Sequence, residues 1–296
     1  MSVKILTGDC RDILPSLDDE SVHCIVTSPP YFGLRDYGVD GQMGVEATPA
    51  EFVNNLVLVF RELRRVLRKD GTVWLNLGDC YAGSGKGGNP PDSPHQKQAS
   101  NEGSIVRGKR GAKRWGSGNI PSTDGLKPKD LIGIPWRVAL ALQDDGWWLR
   151  QDVIWSKPNA MPESVLDRCT RSHEYIFMFS KSAKYYYDAA AIAEDAIYSG
   201  LPEQCSGKRN KRSVWTVPVR GFSGAHFATF PPGLIEPCIL ACCPTGGVVL
   251  DPFGGAGTTG MVADRLGRNA IMIELNPDYA ALAHDRIKDD AGMFAA

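Results

Sequence analysis

The stretch Val248-Val249-Leu250-Asp251-Pro252-Phe253-Gly254-Gly255-Ala256-Gly257-Thr258-Thr259-Gly260 leaves a folding chain few choices. A short apolar, β-prone run enters a glycine-rich bend, and helix-compatible residues follow. Glycine lets the backbone pass close to a ligand, and the first turn of a helix offers unpaired N–H groups to something polar or anionic. Gly255, Gly257 and Gly260 satisfy G-x-G-x-x-G. Glu274 closes the next β-prone run nineteen residues after Gly255, where a carboxylate can accept from ribose hydroxyls. These residues alone imply a nucleoside-containing cofactor, with NAD and S-adenosylmethionine both open.

The rest of the chain alternates in the manner of an α/β protein. Val3–Leu6 and Val22–Val26 read as strands, the second stopped by Thr27-Ser28-Pro29-Pro30-Tyr31. Two successive prolines have no N–H to donate, so that segment is a loop at the carboxyl end of a buried strand. A helix starts after Thr48, with Thr48 as N-cap, Pro49 in the first turn and Glu51 completing a capping box. Phe52, Leu56, Phe60, Leu63 and Leu67 form its apolar face. Arg64, Arg65, Arg68 and Lys69 cover the other face and the end, and Gly71 is expected to terminate the helix. Thr72–Leu77 is then a strand, Lys129–Leu142 a helix, and Trp148–Trp155 and Glu174–Ser180 strands. A helix over 233–243, a strand over 247–250, a helix from about Thr259 and a strand over 270–274 complete the pattern, which predicts an open sheet with helices on both faces.

Charge and cysteine usage narrow the class. The 296 residues carry 33 Lys and Arg against 34 Asp and Glu, a formal charge of −1, which excludes a wholly basic coat protein and an acidic solvating tail. No apolar run approaches the roughly 18 residues of a membrane span, and the first twenty residues lack the pattern of a secretory leader. The eight cysteines are dispersed apart from Cys238, Cys242 and Cys243. Reduced thiols in a cytoplasm are therefore expected, that trio being small buried hydrophobes on a helix, with no metal site. Two stretches break the alternation. Residues 82–128 hold ten Gly and eight Lys and Arg against three acids, and are expected to form a mobile basic arm that touches phosphate, with Lys109 and Arg110 as candidates. Residues 196–230 are irregular and basic again, with Lys208, Arg209, Lys211 and Arg212 as candidate phosphate contacts.

Ser28-Pro29-Pro30-Tyr31 suggests its own chemistry. The exocyclic amino group of adenine or cytosine is a poor nucleophile, because its lone pair is delocalised into the ring. Acceptors at its two N–H bonds draw the nitrogen toward sp³ geometry. A serine hydroxyl and a proline carbonyl held in a stiff diproline loop can do this, and Tyr31 offers a face on which an extruded base stacks.

Together, Thr27–Tyr31 and Asp251–Thr259 resemble the two signature motifs of the beta class of S-adenosylmethionine-dependent DNA amino-methyltransferases, in that class's permuted order and over most of the chain. The resemblance implies a Rossmann-like methyltransferase fold with a circularly permuted, mostly parallel sheet. It implies a catalytic half over residues 1–159, a target-recognition region over 160–230 and a cofactor-binding half over 231–296. Ser28, Pro29, Pro30 and Tyr31 then position the target base. Phe253, Gly255 and Gly257 line the methionine end of S-adenosylmethionine, with Asp251 and Thr258 in the same site. Glu274 holds the ribose, and Asp9 and Cys10 lie near the adenine. Trp155-Ser156-Lys157-Pro158-Asn159 resembles the segment bordering the target pocket. Within the class, a serine at the head of the catalytic motif leans toward cytosine N4, with adenine N6 still open. Duplex DNA is the implied substrate, in a cytoplasmic, nucleoid-associated setting; a homodimer and a separately encoded restriction endonuclease are further expected partners.

An NAD-dependent oxidoreductase would place its fingerprint on the first strand, and only about forty residues follow Gly255 here. It would also leave the diproline loop without a role. Methyltransferases acting on RNA or on protein amides share a related Pro-Pro-Tyr loop, but the motif order and the basic stretches favour DNA. A non-catalytic DNA-binding module would not need the glycine loop.

Overall fold

A computed structural model describes residues 2–34, 38–82, 125–196, 207–219 and 230–294. Lys109, Arg110 and most of the basic segment 82–128 lie outside the described residues. In chain order the elements are β1 (Val3–Thr7), α1 (Cys10–Ile13), β2 (Val22–Thr27), α2 (Pro49–Val66), β3 (Leu67–Leu77), α3 (Ile134–Asp144), β4 (Trp148–Ser156) and β5 (His173–Ser180). The short strands β6 (Glu194–Asp195), β7 (Lys208–Arg209) and β8 (Val214–Thr216) follow. α4 (Pro232–Cys242), β9 (Val248–Asp251), α5 (Thr258–Arg265), β10 (Asn269–Glu274) and α6 (Pro277–Phe294) complete the chain. None of the helices is long and apolar enough to cross a membrane, among the described residues.

One eight-stranded sheet organises the molecule, in the order β1-β10-β9-β2-β3-β5-β4-β8, while β6 and β7 pair separately. All its neighbours are parallel except those of β5, which runs against both β3 and β4. The last two strands of the chain, β9 and β10, insert between the first two, β1 and β2. This is the permutation that the motif order implied. Alternation along each strand feeds two cores. Ile25, Val73, Leu75, Phe177 and Leu250 meet Phe52, Leu56, Phe60 and Leu63 of α2 and Val138 of α3 on one face. Cys24, Val26, Trp74, Ile176 and Val249 meet Ile235, Cys238 and Ile239 of α4 and Met261 of α5 on the other. Each fully buried Leu or Phe in these layers contributes roughly 1.5–3 kcal/mol.

The α2 cap forms as read, with Thr48 Oγ1 accepting from Glu51 N at 3.1 Å, but Glu51 turns back to Ala47 N rather than to Thr48. The helix does not run to Gly71. It stops at Val66, and Leu67, Arg68, Lys69 and Gly71 belong to β3. Residues 68–71 bulge between the pairs Val22–Leu67 and Cys24–Thr72. Gly71 closes the bulge because a Cβ there would lie 2.6 Å from the Leu67 side chain and 3.0 Å from His23 O. α3 begins at Ile134, not at Lys129, and Asp79 caps it from the end of β3: its Oδ1 accepts from Gly133 N and Ile134 N, both at 3.0 Å. Beside this cap, Ala82 N donates to Asp130 O at 2.8 Å, Lys129 N to Ala82 O at 2.7 Å and Ile132 N to Cys80 O at 3.0 Å. The chain on either side of the basic segment is thereby zipped together.

The span 160–230 contributes β5 and β8 to the main sheet. α6 carries no assignment in the sequence reading, which ended at Glu274. Gly260 shows how tightly the third fingerprint glycine packs. A Cβ there would meet Met272 Sδ at 2.4 Å, Val3 Cγ1 at 3.0 Å and Ile287 Cδ1 at 3.1 Å. Gly260→Val is therefore expected to lower unfolding free energy by about 1–3 kcal/mol, read as a lower urea midpoint at unchanged slope.

Candidate active site

Parallel strands bring β1, β2, β3, β9 and β10 to one edge by their carboxyl ends, where ligands of open α/β sheets bind. The diproline loop leaves β2 at this edge and the glycine loop leaves its neighbour β9. One carboxylate joins them. Asp251 is 2% exposed, and it accepts from Thr27 Oγ1 at 2.7 Å, Thr259 Oγ1 at 2.6 Å and Phe253 N at 3.1 Å. Burial pushes its pKa from the ordinary 3.8 up to about 6, against the pull of those donors.

A single cavity spans the two loops. Of the residues singled out in the sequence, Asp9, Cys10, Ser28, Pro30, Asp251, Phe253, Gly255, Thr258 and Glu274 line it; Pro29, Tyr31 and Gly257 do not. Gly257 has a different task. It is the N-cap of α5 at φ 82°, and a Cβ there would lie 2.9 Å from Ala283 Cβ on α6 rather than in the cavity. It supplies a left-handed turn and a close helix contact. Glu274 accepts from Gly255 N at 2.8 Å and from Asn276 N at 2.9 Å, so it shapes the glycine loop. Its burial raises its pKa. Asp9 caps α1 and is held ionised below the usual carboxylate range by Arg11, whose Nη2 also reaches Gly41 O at 2.7 Å. Burial pushes the Cys10 pKa up to about 12. Sequence reading missed Val39, Met43, Phe230 and Tyr279, which supply much of the apolar wall. Phe230, ahead of Pro231-Pro232 at the start of α4, is the one with a local signal.

Among the described residues, three carboxylates (Asp9, Asp251 and Glu274) line the cavity and no lysine or arginine does. That lining favours a cationic nucleoside over a pyrophosphate. S-adenosylmethionine, with its sulfonium and ammonium, fits; a dinucleotide fits poorly.

Behind Ser28 lies a polar network. Tyr31 Oη donates toward Glu174 Oε2 at 2.8 Å and Asn76 Oδ1 at 3.0 Å. Asn76 Nδ2 donates to Glu174 Oε2 and to Tyr175 O, each at 3.1 Å. Ser28 Oγ is 3.3 Å from Tyr31 Oη and 3.5 Å from Asn76 Oδ1. Lys157 pairs with the other Glu174 oxygen, with its ammonium 4.2 Å from the centre of the Trp155 ring. Gly78 exists for Tyr31: a Cβ there would lie 2.5 Å from the ring.

A family model for DNA methylases of the N6/N4 methyltransferase type matches residues 22–285. The Type II methyltransferase M.Cfr9I of Citrobacter freundii is 50% identical over 97% of this chain and 88% of its own length. M.SmaI of Serratia marcescens is 48% identical over 97% and 91%. The chain belongs to the DNA methylase family. Among solved structures, PvuII DNA methyltransferase (cytosine-N4-specific) superposes with a TM-score of 0.66 at 20% identity, covering 98% of this chain and 91% of its own. The M1.HpyAVI–SAM complex gives 0.55 at 17% identity over 96% and 99%. This methylase moves a methyl group from S-adenosylmethionine to an exocyclic amino group of DNA.

The basic run after residue 207 is not a bare cationic strip. Lys208 pairs with Asp195 at 2.7 Å, and Arg209 and Arg212 with Glu194 at 3.0 and 2.6 Å, while Lys211 lies 5.2 Å from the Trp215 ring centre. The acids come from β6, just outside the stretch whose charge the sequence reading weighed. Cys238 and Cys242 are buried on α4 and Cys243 beside it. Among the described residues, no three His, Cys, Asp or Glu could jointly hold a metal ion.

Folded Asp251 holds its proton more tightly than the unfolded chain does, so the folded form binds more protons between pH 4 and 6. Its contribution to stability therefore falls as pH rises through that window. Relative to Asp251→Asn, the wild type is expected to lose about 2 kcal/mol between those limits, measured by urea unfolding at each pH.

Proposed function

We propose that this methylase acts on the N4 amino group of a cytosine swung out of duplex DNA, and that Ser28 Oγ and the Pro29 carbonyl accept from that amino group. The observation that carries this reading is that Ser28 lines the same cavity as Asp251, Phe253 and Gly255, so amino acceptor and cofactor loop share one space. When bound, S-adenosylmethionine supplies an electrophilic methyl on a cationic sulfur. The chain contributes position and polarity. Drawing on both N–H bonds localises the nitrogen lone pair along the line of attack, and no cysteine nucleophile is required.

Phe253, Gly255 and Thr258 are assigned to the methionine end of the cofactor, with Gly257 shaping the turn that presents them. Glu274 retains lone pairs for the ribose hydroxyls, and Asp9 and Cys10 border the adenine. Tyr31 is assigned to stack on the base. Lys208, Arg209, Lys211 and Arg212, with Lys109 and Arg110 of the basic segment, are assigned to phosphate, where DNA would compete with Glu194 and Asp195 for three of them. The halves 1–159 and 231–296 remain the catalytic and cofactor-binding parts of one sheet. A cytoplasmic, nucleoid-associated enzyme, a homodimer over a two-fold symmetric site and a separately encoded endonuclease complete the reading.

Methyl-labelled S-adenosylmethionine and duplex DNA, followed by digestion to nucleosides and mass spectrometry, test it. N4-methylcytosine is expected. N6-methyladenine would overturn the choice of base, and label absent from DNA would overturn the reading. Gly78→Ala, which drives a Cβ into the Tyr31 ring, is expected to lower methyl transfer at least about 10-fold while calorimetry shows unaltered cofactor affinity.

A further inference from the structure

Glu174 lies outside the motifs that point to the reaction, yet it organises the hydrogen bonds around Ser28. β5 runs opposite to its neighbours, so its first residues reach the edge where the parallel strands end. Trp155 pairs with Glu174 in the β4–β5 ladder. Asn76, near the end of β3, places its amide against the same carboxylate.

We propose that Glu174 is a positioning residue that sets the direction of the hydrogen-bond chain behind Ser28, so that the serine oxygen faces the target amino group as an acceptor. A carboxylate paired with Lys157 can only accept. The single phenol proton of Tyr31 therefore points toward Glu174 Oε2 at 2.8 Å, shared with Asn76 Oδ1 at 3.0 Å. The Asn76 amide is oriented by two acceptors, Glu174 Oε2 and Tyr175 O, so its nitrogen faces them and its oxygen faces Ser28. Ser28 Oγ then meets two oxygens, Tyr31 Oη and Asn76 Oδ1, that can take its proton and give none back. With that proton turned inward, the serine lone pairs are left for the amino N–H. An anion strengthens each of these bonds relative to a neutral partner.

The inference rests on Ser28 acting as the amino acceptor, and the test separates the two. Glu174→Gln is nearly isosteric but carries N–H donors. A glutamine Nε2 in place of Oε2 faces the Asn76 amide donor to donor and turns it over. Tyr31 Oη then loses both acceptors, its proton turns toward Ser28 and the serine proton is driven into the pocket. Single-turnover methylation by Glu174→Gln is expected to slow roughly 10- to 100-fold, with the KM for DNA and the affinity for S-adenosylmethionine unchanged. Tyr31→Phe keeps the ring and leaves Ser28 donating to Asn76 Oδ1, so it is expected to slow transfer less than Glu174→Gln does. In the Glu174→Gln background, Tyr31→Phe removes the link through which the inversion passes, and is expected to restore about five-fold of the lost rate. A merely structural role would make the double variant slower still. Glu174→Gln within two-fold of wild type, or a double variant no faster than Glu174→Gln, overturns the proposal. Ser28→Ala at wild-type speed overturns instead the reading of Ser28 on which it stands.

Discussion

Everything at the working edge of the sheet depends on a buried carboxylate shared between two loops that are far apart in the chain. Asp251 is reached by Thr27 from the strand before the diproline turn and by Thr259 from the first turn of α5. These charge-assisted bonds offset a desolvation that would otherwise expel the group from the interior. Remove the carboxylate and the two loops lose their common reference point. Methyl transfer over a near-attack distance tolerates little such drift.

Strand direction does the second half of the positioning. Five parallel strands deliver their carboxyl-terminal loops to one side, as an open α/β sheet must. That arrangement places Asp251 and Glu274 at the ends of β9 and β10, but β2 and β3, beside Ser28, end in the uncharged Thr27 and Leu77. The reversed β5 fills the gap by presenting its amino-terminal end, with His173 and Glu174, at the same rim. β4 ends alongside it, with Ser156 opposite His173 and Lys157 one residue beyond. The permuted connectivity costs the fold nothing visible, since β9 and β10 occupy the central places they need whatever their order in the chain.

What could be read from the sequence followed physical range. Period-two and period-3.6 patterns located the ten-residue scale of strands and helices, because burial on a face acts through near neighbours. The Thr48 cap and the fingerprint glycines were legible for the same reason. Failures came where the deciding partner was remote. Gly71 looks like a helix stop until Leu67 and His23 are seen closing a strand bulge over it. Gly257 looks like a ligand contact until Ala283, twenty-six residues on, is found against it. Lys208, Arg209 and Arg212 look like free cations until β6 supplies their acids. Glu174 carries no local motif at all, and only the antiparallel ladder reveals what it touches.

The zipper between residues 80–82 and 129–132 has a topological corollary. Because its backbone bonds fix the two stems side by side, the catalytic sheet registers only that the chain leaves and returns at one point. Closure entropy grows with the logarithm of length, so doubling such an excursion costs only about 0.6 kcal/mol. Asp79 therefore keeps its place as the cap of α3 through bonds made by the two stems alone.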